Sequence, residues 1–117
     1  MESKPKISID DFHKLEIKIG QILSAEKVLD ADKLLKLSVD FGEESPRQII
    51  SGISVYFPEP TTLVGKKCAF AANLEPRTIR GLESQSMILA VNGGDGDSQF
   101  FSLLETGKDV LPGSTVK

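Results

Sequence analysis

Apolar and polar residues alternate along several short stretches of the chain, and the most regular alternation lies at residues 35–41 (LKLSVDF). This period of two predicts a β-strand with one buried face. A second alternation, at residues 15–19 (LEIKI), continues through Gly20 to Ile22, which stands on the opposite parity. A glycine that shifts the phase in this way predicts a bulge or a sharp bend in a long first strand.

The rest of the pattern predicts further strands and little helix. Strands are predicted at residues 48–54, 66–74, 86–91 and 99–104, with turns at residues 30–32, 42–46 and 92–97 and a loop at residues 58–65. A capping box at residues 8–11 (SIDD) predicts one short helix that runs through Lys14. We expect Phe12 and Leu15 to anchor this helix on the body of the protein.

Short strands separated by turns are typical of a sandwich or a barrel. A long bent first strand, a hairpin and a longer loop before the fourth strand favour the OB-fold, a five-stranded Greek-key barrel. We therefore predict an all-β protein with a short N-terminal helix and a C-terminal strand extension. A length of 117 residues is enough for one domain. We expect residues 1–6 to be a flexible N-terminus and residues 7–117 to form the domain.

Charge limits the function classes. The net charge of −3 argues against a strong non-specific nucleic-acid binder. Residues 47–80, however, hold five basic and two acidic residues, which makes the middle third locally +3 (5 − 2). A small basic face binds a polyanion modestly and with strong salt dependence. An unevenly charged, solvated surface is the alternative interpretation of the same count.

The single cysteine, Cys68, excludes an internal disulfide and stands in an apolar run, which predicts a buried, inert thiol. The absence of disulfides fits a reducing cytoplasm. No apolar run approaches the ~20 residues of a membrane span, and residues 1–12 lack the apolar core of a signal peptide. We therefore expect a cytoplasmic protein without membrane contact.

The residues needed for catalysis or for a metal site are missing from the sequence. His13 is the only histidine, which excludes a Ser-His-Asp triad and a histidine-rich metal site. Residues 65–67 (GKK) lack the pattern of a phosphate-binding loop, and residues 52–54 (GIS) lack the second glycine of a nucleophile elbow. Residues 95–97 (DGD) lack the spaced carboxylates of a calcium loop. We expect no catalytic residue, no metal, no cofactor and no enzymatic activity.

Residues 73–87 (NLEPRTIRGLESQSM) carry the strongest functional signal. Pro76 and Gly81 favour a turn or loop over a helix. Arg77 and Arg80 lie three residues apart, and guanidinium groups suit phosphate oxygens. The neutral donors and acceptors that RNA backbones, ribose hydroxyls and base edges need are supplied by Asn73, Ser84 and Gln85.

Each of these residues also has a structural interpretation. The arginines are equally consistent with an ordinary surface loop, and Asn73 with the cap of a turn. Met87 opens an apolar strand and belongs either to the core or to a surface that faces a base or ribose.

Lys33 and Arg47 flank the predicted hairpin of strands 2 and 3, which lies along the ligand face of an OB-fold. Tyr56 and Phe57 are the best candidates for exposed aromatic residues. So few aromatic residues make a poor stacking platform for single-stranded nucleic acid. Recognition of a folded RNA by its backbone and shape is the better fit.

Residues 72–87 resemble the pattern ANLxPRxxxGxxSxGM of the tRNA-binding domain found at the C-terminus of many methionyl-tRNA synthetases and in small free-standing tRNA-binding proteins. Further similar stretches occur in order at residues 11–15, 19–22, 31–34, 47–53, 58–59 and 63–66, so that the resemblance covers about residues 7–116. Two positions depart from the pattern: Ser86 replaces the usual glycine, and Ile79 replaces a residue that is often polar.

The resemblance implies an OB-fold docking module, free-standing or the C-terminal part of methionyl-tRNA synthetase, that recognises the outer corner of tRNA by shape. It implies tRNA-binding positions at Lys33, Arg47, Ser51, Asn73, Arg77, Ser84 and Met87. It also implies a homodimer formed through residues 92–117. Related free-standing proteins are export-linked chaperones that bind peptides, and such a chaperone is the alternative function. A dimerisation module without an RNA role is the third.

Overall fold

The computed structural model of the protein describes residues 3–97 and 99–117. It consists of a helix α1 (Ile9–Phe12) and the strands β1 (Ile17–Val28), β2 (Ala31–Asp40), β3 (Arg47–Ser51), β4 (Lys67–Ala71), β5 (Arg77–Ile79), β6 (Leu82–Ser84), β7 (Met87–Ile88), β8 (Ala90–Gly93) and β9 (Phe100–Leu103). Short 3₁₀ helices at Ser54–Tyr56 and Pro60–Leu63 follow β3.

Five antiparallel strands form the main sheet in the order β3-β2-β1-β4-β7. The backbone N–H of Gln85 donates to the carbonyl of Gln48 in β3 at 2.9 Å, so the segment before β7 returns to the opposite edge of the sheet. This contact closes the sheet into a five-stranded barrel. The predicted all-β OB-fold with a short N-terminal helix and a C-terminal strand extension is confirmed.

The interior of the barrel is filled by the inward-facing residues of β1 to β4 and by Leu63 of the second 3₁₀ helix. Eight of these side chains are almost fully inaccessible: Phe70, Ile22, Leu35, Leu37, Ile49, Leu63, Val39 and Cys68. The rings of Phe41 and Phe70 meet edge to face with centroids 5.1 Å apart. The alternation in residues 35–41 predicted the inward face of β2 correctly, because Leu35, Leu37 and Val39 are all 0 % exposed.

Of the two alternatives predicted at Gly20, the bulge is wrong, because β1 pairs with β4 from Ile17 to Gln21 without a shift in register. The register of β1 against β2 shifts between Ile22 and Ser24 and again between Lys27 and Val28. Gly20 is needed for a different reason. A Cβ atom at this position would lie 2.5 Å from Cγ1 of Val39 and 2.9 Å from the ring of Phe41. The glycine therefore lets the side chains of β2 pack directly on the backbone of β1.

Several predicted boundaries also need correction. The predicted strand 48–54 ends at Ser51, and the chain then enters the first 3₁₀ helix. The predicted strand 86–91 is divided into β7 and β8 around Leu89. The predicted turn at residues 30–32 is shorter, because Asp30 takes a φ of 60° and Ala31 already belongs to β2. Part of the predicted flexible N-terminus, residues 1–2, lies outside the described residues.

Helix α1 begins as predicted, because the Ser8 side chain accepts a hydrogen bond from the backbone N–H of Asp11 at 3.0 Å. It is shorter than predicted and ends at Phe12. Its anchoring by apolar side chains is wrong: none of its four residues is buried, Phe12 is 38 % exposed and Leu15 is 37 % exposed.

The C-terminal segment lies against the barrel in two places. The β8–β9 hairpin leads to Leu104, whose carbonyl accepts a hydrogen bond from Ala69 in β4 at 2.9 Å. The last residues then pair with the first half of β1, where the backbone N–H of Ile19 donates to the carbonyl of Ser114 at 2.9 Å and that of Val116 donates to Ile17 at 2.8 Å. No helix in residues 3–97 and 99–117 has the length and apolar character needed to cross a membrane.

Candidate nucleic-acid interface

The segment predicted as a loop around Pro76 and Gly81 is a β-hairpin formed by β5 and β6. Its two-residue turn consists of Arg80 and Gly81, with φ angles of 52° and 78°. Two positive φ angles are typical of a type I′ turn, whose twist matches that of the flanking strands. The turn places Arg80 at the tip of the hairpin. Arg77 lies on β5, directly opposite Ser84 of β6.

Ser84 and Gln85 make intramolecular hydrogen bonds to β3. The backbone N–H of Ile50 donates to Oγ of Ser84 at 2.9 Å, and that of Gln48 donates to Oε1 of Gln85 at 2.8 Å. The Ser84 hydroxyl in turn donates to the carbonyl of Ser86 at 3.1 Å. Ser84 is 5 % exposed. Both side chains therefore help to close the barrel, and the Ser84 hydroxyl and the Gln85 side-chain oxygen already have partners.

Arg47 is likewise engaged within the protein. Its Nε and Nη2 donate to the two carboxylate oxygens of Glu43 at 2.9 and 2.7 Å, and its Nη1 donates to the carbonyl of Ala72 at 2.6 Å. The guanidinium carbon also lies 5.0 Å from the centre of the Phe41 ring. The hydrogen bond from Arg47 lowers the pKa of Glu43, and the same bond raises the pKa of Arg47.

Asn73 holds the N-terminal segment on the barrel. Its Oδ1 accepts from the backbone N–H of Glu16 at 2.7 Å, and its Nδ2 donates to the carbonyl of Lys14 at 2.7 Å. The amide group thus joins the end of β4 to the chain that connects α1 and β1. This arrangement explains how a helix without buried residues is held against the body.

Arg77, Arg80 and Lys33 form a second group with different surroundings. All three are exposed, and none of them forms a salt bridge within residues 3–97 and 99–117. Lys33 and Arg80 line one open cleft of about 490 Å³ between the start of β2 and the hairpin tip, and Asp30 and Asp32 line the same cleft. The structure thus brings these two cations together although 47 positions (80 − 33) separate them in the sequence.

Met87 lies next to Arg77 at a smaller cleft of about 50 Å³, and its side chain is 46 % exposed. The core interpretation of Met87 is therefore wrong. The cleft is lined by Ile50, Leu74, Glu75, Arg77, Ile79, Ser84, Ser86 and Met87. Ser51, the remaining predicted position, is half-buried at the end of β3.

The local charge of +3 in residues 47–80 overstates the free positive charge. Arg47 is paired with Glu43, and Lys66 is paired with Glu105 at 3.2 Å. The Lys67 ammonium donates to the carbonyls of residues 108 and 110, each at 2.7 Å. Arg77, Arg80 and Lys67 have no acidic partner in the described part of the chain, and of these three only the two arginines also lack the carbonyl contacts that hold Lys67.

Sequence reasoning gave no role to Gln48, although this residue of β3 forms three hydrogen bonds to residues 83–85. Besides its two backbone bonds to Gln85, its Nε2 donates to the carbonyl of Glu83 at 2.9 Å. A glutamine on a half-buried strand gives no sequence signal for such a contact. The partner of Arg47 did have a signal, because Glu43 precedes it by four residues across a predicted turn.

Comparisons with known proteins agree with this arrangement. A model of the putative tRNA binding domain matches residues 17–115. Methionine–tRNA ligase from Enterococcus faecalis is 41 % identical over 111 residues, covering 95 % of this chain and 16 % of that protein. The corresponding ligase from Methanocella arvoryzae is 46 % identical over 114 residues, covering 97 % and 16 %. The chain thus spans about one sixth of the length of these curated relatives.

Among solved structures, a MetRS-related protein from Pyrococcus horikoshii superimposes with a TM-score of 0.84 at 34 % identity, covering 97 % of this chain and all of that one. The CsaA chaperone protein from Picrophilus torridus superimposes with a TM-score of 0.79 at 25 % identity, covering 96 % of this chain and all of that one. The matched family model and the ligase relatives together show that this chain belongs to the putative tRNA-binding domain family.

Proposed function

We propose that this chain is a non-catalytic module that binds tRNA, either free-standing or as the C-terminal part of a methionyl-tRNA synthetase. Arg77 and Arg80 contact phosphates, Lys33 extends the basic surface, and Met87 offers an apolar contact to a base or ribose. The observation that carries the proposal is the exposure of both arginines on one hairpin without acidic partners in the described residues.

The charge distribution supports recognition of a polyanion at this hairpin. An arginine that already pairs with a carboxylate has little to offer a phosphate, which removes Arg47 as a strong contact. An exposed arginine without a partner forms phosphate bonds without first breaking an ion pair. Because the whole chain carries −3, we expect modest affinity that depends strongly on salt.

The module acts by docking rather than by chemistry. Its only thiol, Cys68, is 0 % exposed, and burial raises its pKa to about 11. A thiol in this state is a poor nucleophile at neutral pH. Binding of tRNA by an appended domain raises the local concentration of tRNA at the catalytic part of a larger protein.

The test is tRNA binding measured by fluorescence anisotropy at several salt concentrations. The double variant Arg77→Ala/Arg80→Ala should bind about 100-fold more weakly at low salt, since each guanidinium–phosphate contact contributes about 1.5 kcal/mol. The slope of log affinity against log salt should fall by about 1.4, or 0.7 for each lost contact. Lys108→Ala/Lys117→Ala is the matched control with the same change in net charge. An equal loss in both double variants would refute the role of the hairpin.

A peptide-binding chaperone is the second candidate, favoured by the structural similarity to the CsaA protein. The apolar side of the cleft beside Met87, formed by Ile50, Leu74 and Ile79, is the surface that would receive an apolar side chain of a peptide. This function predicts binding to extended apolar peptides that changes little with salt. Peptide binding without tRNA binding at low salt would replace the first proposal with the second.

We further propose a homodimer through the C-terminal extension, residues 92–117, of which residue 98 lies outside the described residues. The exposed aromatic and apolar residues beside the β8–β9 hairpin support this: Phe100 is 55 % exposed, and Tyr56 stacks on Phe101 with centroids 3.9 Å apart. Light scattering at micromolar concentration should give twice 12.7 kDa. Phe100→Ser should give the monomer mass, whereas a wild-type monomer would exclude the dimer.

A further inference from the structure

The closure between β3 and residues 83–86, which we call the barrel seam, does not use an ordinary strand ladder. Two backbone N–H groups of β3 point toward the seam and donate hydrogen bonds to side-chain oxygens: that of Gln48 to Gln85 and that of Ile50 to Ser84. In a regular sheet, the carbonyls of a neighbouring strand would accept both bonds. Side-chain oxygens therefore take the place of backbone carbonyls at these two positions, beside the backbone bond from the N–H of Gln85 to the carbonyl of Gln48 at 2.9 Å.

The seam is also where the β5–β6 hairpin is attached to the barrel. Gln48 adds a bond from its Nε2 to the carbonyl of Glu83 at 2.9 Å. In the β5–β6 register, Ser84 lies directly opposite Arg77. A shift of Ser84 against β3 would therefore move Arg77 by a similar distance, and it would move Arg80 at the hairpin tip as well.

We infer that Gln48, Ser84 and Gln85 are positioning residues, which orient Arg77 and Arg80 toward the phosphates and do not themselves touch the RNA. The inference rests on the proposed function and changes the roles that the resemblance implies. The Ser84 hydroxyl is buried and both accepts and donates within the protein. The Gln85 carbonyl oxygen is occupied by the N–H of Gln48 at 2.8 Å.

Positioning and direct contact predict different salt dependence. A neutral residue that touches the RNA contributes hydrogen bonds but releases no counterions, so its removal weakens binding and leaves the salt slope unchanged. A neutral residue that positions an arginine changes the number of phosphates that the protein neutralises. Its removal therefore lowers the slope, although no charge has been removed.

The experiment measures binding of the full chain to tRNA across a salt series for Gln48→Ala and Ser84→Ala. Each variant should bind about tenfold more weakly at low salt, with a slope lower by about 0.7, both being the contribution of one phosphate contact. Thr62→Ala is the matched control, since its hydroxyl bond to the carbonyl of Glu59 at 2.9 Å lies far from the seam in sequence. The Ser84→Ala variant removes the acceptor of the Ile50 N–H and is the variant at risk of not folding. In that case Gln48→Ala alone tests the inference, because the hydrogen bond that it removes is exposed to solvent.

The same variants in the Arg77→Ala/Arg80→Ala background complete a double-mutant cycle. If the seam residues act by positioning, each seam variant should lower the tRNA affinity of this background less than twofold, because the arginines through which the seam acts are absent. An unchanged slope, or the same fold-loss in both backgrounds, would overturn the inference and leave direct contact in its place. Failure of the proposed function looks different: the wild type then shows no tRNA binding, or the double arginine variant binds as the wild type does.

Discussion

The resemblance implies that Arg47 contacts tRNA, whereas its guanidinium bonds to Glu43 and to the carbonyl of Ala72 in the structure, and from these bonds we infer that it stabilises the fold. We predict that Arg47→Met lowers stability strongly and affects tRNA binding little. Methionine keeps the apolar part of the side chain and removes only the guanidinium. Arg77→Met is the matched control, because the same change is made at an exposed arginine on the hairpin.

The magnitude follows from the contacts of the guanidinium. The bond to the Ala72 carbonyl at 2.6 Å is charge-assisted and partly buried, and it contributes about 1.5 kcal/mol. The pair with Glu43 contributes only about 0.5 kcal/mol, because the Glu43 side chain is 41 % exposed. The contact with Phe41 adds about 0.5 kcal/mol. The total of about 2.5 kcal/mol corresponds to a fall in Tm of about 10 °C for a domain of this size.

Urea unfolding gives the free energy of unfolding, and anisotropy at 15 °C gives the tRNA affinity while every variant is folded. We expect Arg47→Met to lose about 2.5 kcal/mol of stability and less than threefold in affinity. Arg77→Met should show the reverse, with stability within about 0.5 kcal/mol of the wild type and a clear loss of affinity. If Arg47→Met were as stable as the wild type and bound tRNA as poorly as Arg77→Met, the structural role would be refuted.

Three further predictions concern the packing of the barrel. Gly20→Ala should cost about 1–3 kcal/mol in urea unfolding, because its Cβ would lie 2.5 Å from Val39, whereas Gly107→Ala, with open space around it, should be neutral. Asn73→Ala should cost about 1–2 kcal/mol and speed hydrogen exchange in the N-terminal segment, and normal exchange there would contradict its role. Cys68 should resist a thiol reagent at pH 8. The free energy of unfolding should fall as the pH rises from about 9 toward 11, because the thiol ionises at a lower pH in the unfolded chain than in the folded protein. The Cys68→Ala variant should not show this fall.

The barrel was predictable because its strands carry their own signals. The alternation in residues 35–41 arises from one buried and one solvated face, and this local cause leaves a local pattern. The type I′ hairpin of β5 and β6 was missed, because Arg80 at a position with positive φ resembles an ordinary loop residue. Its strands are only three residues long, too short to display a period.

The roles of the polar site residues were less predictable, because they depend on contacts between distant parts of the chain. Ser84 bonds to a backbone group 34 positions away, and Asn73 bonds to groups 57 and 59 positions away. Residue type reveals the capacity to form a hydrogen bond but not the partner. Sequence reasoning therefore grouped Asn73, Ser84 and the free arginines together, whereas the folded chain uses the first two internally.

The pairing of the C-terminal residues with β1 also has a consequence for folding kinetics. Ile19 receives its partner at Ser114 only after roughly 95 more residues have been synthesised, which takes about 5–19 s at cellular rates of translation. During that interval the first half of β1 lacks this partner and has an open edge. Such distant pairings raise contact order and slow folding. The nascent barrel therefore needs protection against edge-to-edge association until residues 113–116 arrive.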